Sequence, residues 1–204
     1  MKKRALFVVL VVVLFSTSIV FAASVNGTFA GLPIVNVKVN NDIIKSSVPG
    51  VVLQGSTLLP ARAIAENLNA VVSWDQATMT ASIKQYNVDM CFVQDIAENS
   101  DGSWQLKDPY GIASIGQDQS ILIYYEIGPI EPKNYEYRFL VEDPNGNALA
   151  TSTTENFDIA SSGMDGYIQI DNLNFTAPGN YDFNLQLKLD GEFKTIGDKL
   201  LVVE

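Results

Sequence analysis

The chain has 204 residues, with 13 basic and 23 acidic side chains, a net charge of −10 and no histidine. The missing imidazole removes Ser-His-Asp and Cys-His catalysis, histidine-ligated zinc and imidazole-ligated copper together, and the negative charge repels nucleic acid and anionic polymers. Cys91 is the one cysteine, so an intrachain disulfide is excluded and stability must come from apolar cores or a bound ion.

Lys2, Lys3 and Arg4 precede an apolar run from Ala5 to Phe15, and Val20 and Ala22 suit a leader-peptidase site between Ala22 and Ala23. This pattern predicts a cleaved secretory signal peptide over 1–22 and a protein secreted or held in the cell envelope. The alternative is an N-terminal membrane anchor, because Ala5 to Ala23 approaches spanning length. No cysteine follows the apolar core, which excludes a lipoprotein anchor. Removing the three leader cations makes the mature chain more acidic still, and most of its carboxylates lie beyond Lys84. Basic proteins, divalent cations and neutral glycans are the partners this charge permits.

The first structured unit is expected over 32–84. Ile34–Val39 alternates, Asn40-Asn41 suits a two-residue hairpin turn, and Asp42–Lys45 returns. Val51–Leu59 reads as a short hairpin turning at Gln54-Gly55. Pro60 fits the start of a helix, where its missing N–H costs nothing. Ala61, Ile64, Ala65 and Leu68 then fall at i, i+3, i+4 and i+7, one apolar stripe, with Asn69 as a left-handed stop. Ala70–Trp74 reads as a strand, Asp75–Thr78 as a turn and Met79–Ile83 as the returning strand. The result is an α+β unit, an antiparallel sheet covering one helix.

The segment from Val37 to Ile83 resembles the stalk domain first described at the N-terminus of some bacterial copper amine oxidases and recurring in secreted proteins of Gram-positive bacteria. Pro60, Arg62, Ile64, Ala65, Glu66, Trp74 and Asp75 carry the most specific part of the pattern. Asn41 and Asn69 stand where the family has glycine, and both tolerate positive φ. The resemblance implies a non-catalytic appendage and no copper, since the metal and quinone of those oxidases belong to a different domain. Arg62 is expected to pair with Glu66 one turn along, or with Asp75 beside Trp74.

Residues 86–204 read as strands and turns throughout. Ile121, Ile123, Tyr125 and Ile127 fall on one face, as do Tyr135, Tyr137, Phe139 and Val141. Tyr181, Phe183, Leu185, Leu187 and Leu189 are expected inside, with Asp182, Asn184, Gln186 and Lys188 facing out. Pro144-Asn145-Gly146 and Asp190-Gly191 are hairpin turns. This pattern predicts an acidic immunoglobulin-like β-sandwich. Ala177-Pro-Gly-Asn-Tyr181 resembles the tyrosine corner of bacterial immunoglobulin-like domains, and the wider segment resembles a bacterial family without an assigned activity. Cys91, in an apolar run, is expected to be a buried thiol.

Strand packing accounts for most of the aromatic side chains. Trp104 and Tyr110, in the loop-like segment 99–111, and Tyr124, opposite the core face, are left over as a candidate glycan platform. Asp95, Glu98, Asn99, Asp101 and Asp108 in the same region offer oxygen to calcium, but their spacing does not fit an EF-hand loop. No cofactor is implied, and no pair of carboxylates is singled out for acid–base work. The expected function is a non-enzymatic extracellular or cell-envelope interaction module, whose partner is a protein or a glycan. A glycan-binding module, marked by clustered exposed rings, is the alternative. Less favoured are a proteinase inhibitor with a protruding rigid loop and a carboxylate hydrolase with two close acids in a cleft.

Overall fold

The computed structural model describes residues 26–160 and 162–204; the expected signal peptide lies outside the described residues. The chain divides into two compact units, one ending at Pro60 and one running from Ala61 to Glu204.

In the first unit, β1 (Thr28–Phe29), β2 (Leu32–Val35), β5 (Gly50–Leu53) and β6 (Ser56–Leu58) form a four-stranded antiparallel sheet, and β3 (Lys38–Val39) and β4 (Asp42–Ile43) a separate hairpin. The expected single strand over 34–39 is therefore broken between Val35 and Lys38. Asn40 and Asn41 both have positive φ (50° and 74°), and Gln54 and Gly55 repeat the pattern (50° and 80°). These are the left-handed pairs that tight hairpins demand.

The second unit opens with a six-residue helix, α1 (Ala61–Glu66), followed by the hairpin β7 (Ala70–Asp75) and β8 (Thr80–Gln85). Asn69 stops the helix at φ 54°. Ala65 is buried with Ala70 and Val72, but Leu68 is exposed. The helix ends before the fourth member of the expected stripe, so only its middle meets the strand.

The rest of the unit is a two-sheet sandwich. One sheet carries β17 (Met164–Phe175), β13 (Gly116–Ile127) and β9 (Val88–Val93), in that order. The other has the order β12 (Ile112–Ala113), β19 (Glu192–Val203), β18 (Gly179–Leu189), β14 (Lys133–Glu142) and β15 (Ala148–Thr151), with β16 (Glu155–Ile159) also on β14. Period-2 alternation decides the core. Ile123, Phe139, Val141, Phe183, Leu185 and Leu187 are all fully buried between the sheets, and such side chains contribute about 1.5–3 kcal/mol each. The Tyr181 hydroxyl donates to the carbonyl of Ala177 at 3.1 Å and its ring packs on Phe175 at 4.7 Å, which is tyrosine-corner geometry.

Two expectations fail on the outer surfaces. Asn184 and Gln186 do not face water: both are buried. The side of β18 that they occupy is crowded by neighbouring polar side chains, and the pair is satisfied by Glu142 (3.0 Å) and by Arg138 and Thr195 (2.8 and 3.3 Å). Cys91 is half-buried rather than buried, because Met90 and Phe92 take the inward positions and turn it to the outside of β9.

Candidate functional site

The family-pattern residues do structural work. Arg62 lies 3.9 Å from Glu66 and donates to the Val72 carbonyl at 3.5 Å, tying α1 to β7. Asp75 does not meet Arg62. Its carboxylate accepts from the Thr78 hydroxyl (2.7 Å) and the Ala77 amide (2.8 Å), bracing the β7–β8 turn. Those bonds, the Thr78 hydroxyl first, hold its carboxyl below the usual carboxylate range. Trp74 is half exposed and donates to Gln76 at 3.0 Å. Pro60 directly precedes the first helical residue. A recess of about 320 Å³ is lined by Arg62, Glu66, Glu192, Phe193 and Lys194, and Arg62 and Glu66 are paired with each other within it.

The segment expected to be a loop around Trp104 is a hairpin, β10 (Asp95–Glu98) on β11 (Trp104–Lys107). Asp101 closes it by accepting from the Ser103 amide (3.0 Å) and hydroxyl (2.6 Å), which lower its carboxyl, and Asp95 pairs with Lys107 at 2.5 Å. These carboxylates are consumed by the hairpin itself. Among the described residues, no group of three ligating side chains is arranged to hold a metal ion.

The outer face of the three-stranded sheet brings side chains together from four strands. Tyr124 on β13 lies directly opposite Tyr167 on β17 and Cys91 on β9. One step along, Glu126 lies opposite Asp165 on one side and Asp89 on the other. Trp104 reaches this face from β11: its ring stands edge-on to Tyr167 (centroids 5.3 Å, planes 79° apart) and its indole N–H donates to the Asp165 carboxylate. The Tyr124 hydroxyl donates to Glu126 at 2.6 Å. Burial, and then that bond to Glu126, push the Tyr124 phenol well above its ordinary value, so it remains a donor. Beside the rings lies an open recess of about 250 Å³ whose walls include Asp89, Glu126, Asp165, Gly128 and Gly163.

Trp104, packed on Tyr167, and Tyr124, paired with Tyr167 across the strands, thus share this face, and Tyr110 does not. Tyr110 bridges to the backbone of Phe92, with its ring 6.0 Å from the Phe92 ring, and packs against the core; burial raises its phenol. Tyr167, 51% exposed, was missed from sequence although it occupies an outward position in an alternating strand. What identifies it is the pairing of β17 with β13, which the sequence does not print.

The architecture is that of a small α+β stalk-type segment followed by a β-sandwich. Residues 36–106 match the copper amine oxidase N-terminal domain, extending beyond the stretch that carries the motif to include Trp104. No curated protein matches the chain. Among the described residues no helix is long and apolar enough to cross a membrane.

Proposed function

We propose that this is an exported, non-catalytic glycan-binding protein of the cell envelope or extracellular space, in which a stalk-type segment accompanies a sandwich that carries the binding face. The observation that supports this reading is the grouping of Trp104, Tyr124 and Tyr167 on one open sheet face, with carboxylates beside them. Flat rings present apolar surface to the C–H faces of sugars, and neighbouring carboxylates and hydroxyls accept and donate to sugar hydroxyls. An open face, unlike a closed pocket, admits the middle of a long polymer. The absence of histidine and the non-catalytic character of the stalk resemblance both favour a binding role over an enzymatic one.

The test is retention of the purified mature chain, 23–204, on immobilised cell walls and glycans. Trp104→Ala and Tyr167→Ala should each lower retention at least about tenfold, the worth of one good stacking contact of about 1.4 kcal/mol. Capture of secreted proteins alone, unchanged in both variants, would replace this reading by a protein-interaction module.

A further inference from the structure

Asp89, Glu126 and Asp165 stand directly opposite one another across β9, β13 and β17. Directly paired residues have Cβ atoms about 4.5–5.5 Å apart, and like charges so placed repel and destabilise a sheet. All three side chains are exposed. Their hydrogen bonds come from neutral donors, Trp104 to Asp165 and Tyr124 to Glu126. The ion pairs among the described residues lie elsewhere, at Arg62–Glu66, Lys107–Asp95 and Lys188–Glu136. A row of three uncompensated carboxylates beside an aromatic row costs the fold stability and contributes nothing to its core.

We propose that this face binds a cationic amino-sugar polymer, one whose sugar amines are free rather than acetylated. The proposal rests on the glycan-binding reading above and narrows its ligand. The sugar ring lies against Trp104, Tyr124 and Tyr167, and its ammonium group sits in the recess among Asp89, Glu126 and Asp165. Aromatic faces attract the same ammonium through their quadrupole, so the two rows act on one ligand. An acetylated sugar fits the rings but leaves the carboxylate row without its counter-charge. A neutral sugar has the same shortfall.

The experiment is calorimetric titration of the purified protein with two hexamers of the same backbone, one of glucosamine and one of N-acetylglucosamine. A neutral glucan and a lysine-rich peptide complete the set. The glucosamine hexamer should bind about tenfold or more tightly than its acetylated counterpart, as charge-assisted hydrogen bonds are roughly twice as strong as neutral ones. That preference should collapse at about 1 M salt, where the screening length falls to about 3 Å. Asp89→Asn and Glu126→Gln should each weaken glucosamine binding about tenfold and weaken the acetylated hexamer less, so that the preference between the two hexamers shrinks in both variants. Both should also raise the melting temperature, because each relieves like-charge repulsion; this shows that the variants fold. Equal affinity for the two hexamers, or neutral glucan bound while glucosamine is not, overturns the cationic assignment and leaves the glycan reading standing. Binding of the lysine-rich peptide with every glycan refused overturns both.

Discussion

Replacing Asp182 by Asn should stabilise the second unit at neutral pH and have no effect in acid. Asp182 lies on β18 opposite Glu142 of β14 and Leu200 of β19, and its Oδ1 is buried without a hydrogen-bond partner among the described residues. Burial first, then the charges of Asp198 and Glu142, push its carboxyl up from 3.8 to about 6. The folded chain therefore holds this proton more tightly than the unfolded chain. The stability so gained is fully present below pH 3.8 and is lost as pH rises through about 6. The gap corresponds to about 3 kcal/mol for a fully shielded group, and the side chain's partial access to water reduces it to about 1–2 kcal/mol. Asn has the same shape and no charge to desolvate. In a unit of this size the gain appears as a rise of about 3–6 °C in melting temperature at pH 7.5, and as no change near pH 4. Thermal melts of both proteins at the two pH values decide the matter. An equal gain at both would mean that it does not come from ionisation of this carboxylate, a loss confined to pH 7.5 would mean that the carboxylate is ionised and satisfied in the fold, and either would refute the reasoning.

Asn69→Ala should destabilise the protein by about 1–2 kcal/mol in urea, since it removes the amide that donates to Asp198 and places a Cβ residue with no local compensation at φ 54°. Asn69→Gly should recover the backbone part of that loss and not the hydrogen bond, giving an intermediate midpoint. Tyr137→Phe should cost about 1–3 kcal/mol by the same measurement, because it leaves the buried Tyr125 hydroxyl, 3.0 Å away, without its acceptor. Tyr125→Phe should cost less, as Tyr137 still donates to Glu155 at 2.9 Å.

Local chemistry was legible wherever a residue type answers a local geometric demand. Asn40-Asn41, Gln54-Gly55, Asn69 and Asp190-Gly191 all adopt the positive φ that their turns require, and a left-handed position excludes most other residues whatever surrounds it. Strand alternation likewise sorted Ile121 through Ile127 and Tyr135 through Val141 into the core, because the side-chain period of a strand is a property of its own backbone. The motif around Pro60, Arg62 and Glu66 announced a helix start and an i,i+4 pair that follow from helix geometry alone.

What the sequence does not contain is the identity of a strand's neighbours. Asn184 and Gln186 have the polar character of a solvent face, and only the packing of β18 among β14 and β19 buries them. Tyr110 and Trp104 stand six residues apart, yet the first packs on the core beside Phe92 and the second stands over Tyr167. Asp89, Glu126 and Asp165 lie far apart along the chain and meet because antiparallel pairing sets them in one register. Composition and periodicity determined that this chain would form acidic sheets with apolar interiors and neutral-pH chemistry without imidazole. Only tertiary structure decided which outward side chains became neighbours, because cross-strand contacts are fixed by pairing partner and register, and neither is a local property of the sequence.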